Sequence, residues 1–369
     1  MAKEPALSLP QVPRIGVGRD GALPLPWLAA AVQRATALTG AHALLIHGPA
    51  GAGHLDLGLV LAQAALCEQT LAAGAALPAT GCGRCASCHL VATRVHPDLL
   101  LVVPELLRVQ LGWAEEDDSK PAKTDAKPSK DIKVEQIRQA IDWCRQTSGR
   151  GRGKVLLLHS ADALNAVAAN ALLKTLEEPP GRLRLFLTSQ DPERLLATVR
   201  SRCQRLPLHL PAPALAMTWL DKQGQTDAAP LLQAAGGSPL EALAWGQEGL
   251  NAALLAALPR QVAAGDPTLL AGRAVPRVVD LLLRLSHDAQ VLAAGGEPRF
   301  FAAAHMPAGV DLAALLAWQD VLMRTARHDE HPWNAGLLIE SLLSQAAACW
   351  TPNISPNIAP KPWSLHSAR

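Results

Sequence analysis

Four cysteines in one short stretch carry the plainest chemistry of this chain. Cys67, Cys82, Cys85 and Cys88 are spaced C-x14-C-x2-C-x2-C. Spacings of two residues let neighbouring thiolates converge on one ion, and four soft ligands suit tetrahedral zinc. Four thiolates also close the coordination shell. That argues for a structural ion, since a catalytic zinc keeps a position open for water. An iron–sulfur cluster is the rival that four thiolates would equally satisfy. His89 and His96 lie close enough in sequence to replace one ligand, and Gly81, Gly83 and Ser87 permit the tight turns required. Cys144, Cys203 and Cys349 fall in regular segments and read as small buried hydrophobes.

A glycine-rich loop is the second feature. A working phosphate loop reads G-x-x-x-x-G-K-[ST]: backbone N–H groups cradle phosphate, Lys neutralises it and the hydroxyl holds Mg²⁺. Here Gly48-Pro49-Ala50-Gly51-Ala52-Gly53 supplies the turn, but His54 and Leu55 follow it. A neutral imidazole is a poor substitute for a fixed ammonium, and Leu55 cannot ligate magnesium. The strand VLLL of residues 155–158, where ATPases of this kind place acids for Mg²⁺ and for activating water, runs into His159 and Ser160. Lys, hydroxyl and both acids are missing together, so no ATP hydrolysis is expected. The polar residues Thr188, Ser189 and Gln190 end the next strand and read as structural hydrogen-bonding groups. The basic run Arg145, Arg150, Arg152 and Lys154 reads as a solvated turn before a strand rather than a DNA contact, because no aromatic residue is interleaved for base stacking.

These residues sit on a legible frame. Residues 1–26 are rich in Pro and Gly and read as an irregular lead-in. WLAAAVQRATALT (27–39) has the periodicity of an amphipathic helix. An apolar segment, Ala43 to Ile46, enters the glycine loop, and Leu55 to Cys67 follows as a helix. Helices over 132–144 and 165–176 alternate with the apolar strands VLLLHS and LRLFLTS, which predicts a mostly parallel sheet covered on both faces. Residues 115–131 contain no hydrophobic residue larger than Ala and read as a mobile insertion. After the Pro-rich joint 206–214, Ala/Leu-rich helices take over: a short group over 215–249, then a bundle over about 266–350. The expected division is an α/β domain over 1–208 with a metal module at about 67–96. A helical lid over 209–262, a helical collar over 263–350 and a loose tail over 351–369 complete it.

Composition agrees. Of 369 residues, 49% are hydrophobic, ample for packed cores, and Tyr is absent with only three Phe, which argues against an all-β fold. No apolar run reaches the length of a membrane span, and the N-terminal residues lack the apolar core of a signal peptide. A net charge of +2 is too small to mark a nucleic-acid or membrane-surface binder. Seven cysteines, four of them clustered, suit a metal site in a reducing cytosol better than a disulfide framework.

Two blocks carry a family resemblance: AANALLKTLEEPPG at 168–181 and DPERLLATVRSRC at 191–203. In this order, with HALLIHGP before them and the four-Cys module between, they resemble the AAA+ clamp-loader subunits of bacterial DNA polymerase III. The likeness spans residues 27–210 and continues weakly through GGSPLEAL (236–243) and HPWNAGLLIESLL (331–343). It implies an AAA+ P-loop NTPase-like α/β domain, a helical lid and an oligomerising collar. It also implies a hetero-pentamer with gamma/tau and delta subunits that loads a sliding clamp onto primed DNA. In that family an Arg reaches the ATP of the neighbouring subunit, and Arg202 in Ser201-Arg202-Cys203 matches it, so ATP and Mg²⁺ would sit only next door. Leu240 stands where the ATPase members carry a sensor Arg. With His54, Leu55, His159 and Ser160, it points to the family's ATPase-dead branch, with no polymerase activity of its own. An active gamma-type ATPase, or a free-standing zinc-dependent nucleic-acid binder with a vestigial ATPase fold, is the alternative.

Overall fold

The computed structural model describes residues 15–38, 40–69, 80–113, 128–327 and 334–350. Most of the 115–131 insertion and the whole 351–369 tail lie outside them. By packing, the chain divides into two units, meeting in sequence between Asn251 and Ala252.

In the first unit the elements run α1 (Ala29–Ala37), β1 (Ala43–His47), α2 (His54–Leu66), α3 (Ala86–Ala92), β2 (Leu99–Val102), α4 (Glu105–Gln110) and α5 (Val134–Arg145). Then come β3 (Lys154–Leu158), α6 (Ala166–Glu177), β4 (Leu183–Ser189), α7 (Ala197–Arg200) and β5 (Gln204–Pro207). All five strands are parallel, in the order β2-β3-β4-β1-β5. Leu45, Leu156, Leu158, Leu185 and Leu187 pack against Ile137 and Ala140 of α5 and Leu172 of α6. Helices α1 and α2 also pack on the sheet. Strands buried on both faces explain why they read as unbroken apolar runs. This is the α/β, AAA+-like sheet expected.

The two edge strands differ from these: β2 reads as the apolar run LLLV but was not expected, and β5 carries no such signal. β5 is an edge strand whose Gln204 and Arg205 are exposed and which ends in Pro207, a residue tolerated at an edge because it donates no ladder bond. β2 is the opposite edge and only partly buried. After β5 come α8 (Pro213–Lys222), α9 (Ala228–Ala234) and α10 (Pro239–Gln247), which pack on one another. No strand follows β5 among the described residues.

The second unit is all-helical: α11 (Ala252–Ala263), α12 (Val275–Ala293), α13 (Leu312–Arg327) and α14 (Ala335–Trp350). Leu281, Leu282, Leu285, Leu315, Trp318, Leu322 and Leu343 are buried there. Trp318 Nε1 donates to Leu342 O at 2.9 Å, so the largest of these side chains is also satisfied. Asp288 is fully buried and accepts from the backbone N–H groups of Arg299, Phe300 and Phe301 at 2.9, 2.7 and 2.7 Å. No described helix is long and apolar enough to cross a membrane.

Candidate functional site

Cys67 ends α2, while Cys85 is the N-cap of α3 and Cys88 lies in its first turn. These two helix ends and the loop carrying Cys82 bring all four sulfurs within 4.8 Å of one another. Cys67 Sγ and Cys85 Sγ are 3.9 Å apart, and Cys82 Sγ and Cys88 Sγ 3.8 Å. A tetrahedron with metal–sulfur bonds of about 2.3 Å has edges of about 3.8 Å, so the sulfurs stand at ligating separation. Backbone N–H groups point at them: Cys82 N to Cys67 Sγ at 3.3 Å, Cys85 N to Cys82 Sγ at 3.3 Å, Cys88 N to Cys85 Sγ at 3.4 Å. Burial would push the Cys82 thiol up, but the N–H groups of Arg84 and Cys85 outweigh it and draw it down to about 7. Burial pushes the Cys88 thiol up. A divalent cation is what lets all four ionise together. The cluster can therefore hold a tetrahedral metal such as zinc. His96 is no ligand: Asp98 N donates to its Nδ1 at 3.0 Å and its Nε2 lies 3.2 Å from Ser87 Oγ. His89 is likewise outside the converging group.

The basic run is tied down rather than free. Arg150 Nη2 donates to Glu68 Oε1 at 2.5 Å, and Arg152 Nη2 to Glu68 O. Lys154 is buried, gives Nζ to Trp143 O at 2.8 Å and lies 4.0 Å over the Trp143 ring. Arg145 is exposed beside Asp142, at 3.4 Å.

The glycine loop follows β1 at the C-terminal end of the sheet, where such folds bind ligands. Gly51 and Gly53 have φ of +71° and +97°. The second half of the loop is tightly packed, while Pro49 and Ala50 are exposed. A Cβ on Gly51 would stand 1.9 Å from Ser238 Oγ, the N-cap of α10. Trp27 Nε1 donates to Ala52 O at 2.8 Å, and Trp219 of α8 packs edge-on against Trp27 with centroids 5.3 Å apart. A Cβ on Gly53 would stand 2.6 Å from Leu25. His54 opens α2 and is buried, its ring bonded to the Gly48 backbone, while its Nε2 has no hydrogen-bond partner. Burial lowers it to about 4, and burial together with the neighbouring His54 lowers His159 to about 3. Both rings are held neutral, so neither supplies the fixed positive charge that the Lys of a working loop gives to phosphate. Burial also pushes Asp56, in the first turn of α2, up to about 6. Thr188 is a structural partner: its Oγ1 is 2.6 Å from His159 Nδ1 and accepts from Ser160 N at 3.1 Å. Leu240 is buried in α10.

Arg202 lies at the other end of the sheet. It stands two residues before Gln204, which pairs with Leu44 near the start of β1. β1 must be traversed to reach the glycine loop, roughly 13 Å at 3.3 Å per residue. Arg202 Nε and Nη2 both donate to Glu177 Oε1, the former at 2.7 Å, and Nη1 donates to Thr198 O at 2.8 Å. The side chain is one-third exposed and lines an open cavity of about 440 Å³ with Gly40, His42 and Gln204. Arg200 pairs with Glu193 instead.

A family model described as "DNA polymerase III, delta subunit" matches residues 29–212, about half of the chain. A DNA polymerase III subunit delta' from Pseudomonas aeruginosa is 39% identical over 206 residues, 55% of each chain. The chain belongs to the delta-prime family of clamp-loader subunits. Escherichia coli subunit delta' is 34% identical over 59% of this chain and 60% of its own length. Subunit tau of the same organism is 32% identical over 46% of this chain and 22% of its own length. The chain thus spans little more than half the length of the delta-prime relatives it matches.

The family frame makes plain what sequence reading missed. Nothing in the spacing marks Glu177 as the partner of Arg202, or Ser238 as the residue that packs on Gly51 of the glycine loop. Both come from elements that only tertiary packing brings together. Glu68 does carry a sequence signal, being acidic and directly after Cys67.

Proposed function

We propose that the chain is an ATPase-inactive subunit of a DNA polymerase III clamp loader. It works in a hetero-pentamer with gamma/tau and delta subunits, in the cytoplasm, helping to load the sliding clamp onto primed DNA. It has neither ATPase nor polymerase activity of its own. Zinc, held by Cys67, Cys82, Cys85 and Cys88, is a structural ion. Residues 209–262 act as the lid and 263–350 as the collar through which subunits assemble.

The observation that carries this reading is the separation of Arg202 from the chain's own glycine loop by the length of β1. An Arg at that end of the sheet serves phosphate supplied by another molecule. Guanidinium suits the role because it stays charged and forks onto phosphate oxygens. An Arg given in trans stabilises the charge that develops on a transferring phosphoryl group. ATP and Mg²⁺ are accordingly bound by the neighbour, while the neutral histidines keep this chain's own cradle idle.

The test is the complex reconstituted with gamma/tau, delta, clamp and primed DNA. Arg202→Ala is expected to assemble normally and to lower DNA-stimulated ATP turnover. Unchanged turnover and clamp loading would refute the finger role.

A further inference from the structure

Behind the four sulfurs lies a second ring of side chains. Glu68 directly follows Cys67, and Ser87 lies between Cys85 and Cys88. Glu68 Oε1 accepts from Ser87 N at 3.2 Å, Ser87 Oγ at 3.1 Å and Arg150 Nη2 at 2.5 Å. Ser87 Oγ in turn accepts from Arg150 Nε at 3.0 Å and lies 3.2 Å from His96 Nε2. Because Asp98 N donates to His96 Nδ1, the ring proton of His96 is on Nε2 and points at Ser87. Ser87 and His96 are buried. Glu68 also gives its own N–H to Cys85 Sγ at 3.5 Å.

The two cysteine-bearing arms, the end of α2 and the start of α3, are thus joined by Glu68 through both backbone and side chain. The joint is fastened to the rest of the unit by Arg150. The turn that carries Arg150 is held by Asp98, whose own N–H donates to His96 of the ring: Asp98 accepts from Gly149 N at 2.7 Å, and from Arg150 N and Ser148 Oγ at 2.9 Å each.

We propose that Glu68, Ser87, His96 and Arg150 form an outer clamp that holds the four sulfurs in ligating geometry and so sets zinc affinity. A further consequence is that metal occupancy is coupled to the order of the 148–152 turn. Without the clamp, the arms must be brought together at the moment of binding, and that ordering is subtracted from the binding free energy. Partners beyond the ligands typically change metal affinity by about 10–100-fold when removed. The inference rests on the reading of the cysteines as a metal site.

The test uses the full chain and zinc alone, in competition with a chromophoric chelator. Ser87→Ala is expected to weaken zinc by about 10–100-fold. Because Ser87 is buried, Arg150→Lys serves as the surface variant. Lys keeps the charge but cannot fork onto Glu68 and Ser87, so affinity is expected to fall about threefold or more with an unchanged circular dichroism spectrum. In the unmodified chain, stripping zinc is expected to speed hydrogen exchange at the Gly149 and Arg150 amides. Arg150→Lys with unaltered zinc affinity, or exchange at 149–150 indifferent to zinc, overturns the clamp while leaving the metal reading intact. An unmodified chain that takes up no zinc overturns both.

Discussion

The guanidinium of Arg202 is held by Glu177, twenty-five residues earlier and at the end of α6, through Nε and Nη2 on one carboxylate oxygen. With Thr198 O on Nη1, the orientation of the side chain is fixed within the chain itself. Both partners are substantially exposed, so the pair is worth under about 1 kcal/mol to stability. Arg202→Ala is therefore expected to change the melting temperature by no more than a few degrees, yet to lower ATP turnover of the assembled complex. Arg202→Lys is expected to restore little, because a point charge cannot fork onto phosphate as the guanidinium does. Calorimetry of the isolated chain and turnover of the complex check the two halves separately. Full rescue by Lys would mean that only charge is needed.

Gly51 and Ser238 make the glycine loop and the lid one packed surface. Gly51→Ala adds a Cβ 1.9 Å from Ser238 Oγ at a φ of +71°. Gly224 has the same φ of +71° with nothing within 4 Å of its missing Cβ. Gly224→Ala isolates the backbone strain, expected at about 1 kcal/mol. Gly51→Ala adds overpacking and is expected to cost about 2–4 kcal/mol in urea denaturation. Adding Ser238→Gly to it should recover part of the loss. Equal costs for the two glycines would show that the lid does not press on the loop.

How much of this was legible depended on where the signal was stored. β1, β3 and β4 are central or nearly so, and burial on both faces writes them as apolar runs. β5 is hidden by its exposed Gln204 and Arg205 and by Pro207. The cysteine cluster was legible because its members are set close in sequence, two residues between Cys82, Cys85 and Cys88. Their clamp was not, because Glu68, Ser87, His96 and Arg150 come from four segments and carry no spacing rule. The departure from the phosphate-loop motif at His54 and Leu55 could be read directly. The packing of Ser238 on Gly51, nearly 190 residues away, depends on how α10 folds back on the loop.

Two buried histidines make the fold acid-sensitive. His54 falls from 6.5 to about 4, chiefly through burial, and His159 to about 3. A group whose folded value is lowered is neutral in the native state, so the unfolded chain binds its proton first. Stability is then intact above about pH 6.5 and declines as pH falls toward the folded values. For His54 alone, moving from pH 7 to pH 5 costs about 2 kcal/mol. Asp56 works the other way: its value is raised to about 6, so its protonation at pH 5 favours the native state. The comparison that isolates His54 is therefore between proteins. Urea midpoints at pH 7 and pH 5 should move closer together in His54→Gln than in the unmodified chain. An identical pH dependence would mean that the ring is not buried neutral.

The same two histidines bear on whether one substitution could restore ATP chemistry. His54→Lys returns an ammonium to the phosphate loop, the lesion most visible in the sequence. Four obstacles remain. Leu55 offers no oxygen to Mg²⁺, and His159 and Ser160 supply no carboxylate to hold the ion or activate water. Ser238 and Trp27 still occupy the space around Gly51 and Ala52. Buried Lys in that position also lacks the phosphate that would stabilise its charge, so it would be driven neutral or destabilise the fold. The isolated chain and His54→Lys are both expected to release phosphate from Mg-ATP at the background rate. Neither should gain melting temperature from Mg-ATP, as a chain that binds a ligand only when native would. Phosphate release by the unmodified chain that disappears on changing His54 would show the cradle to be a working site. A melting shift with nucleotide but no turnover would show that it binds and does not hydrolyse.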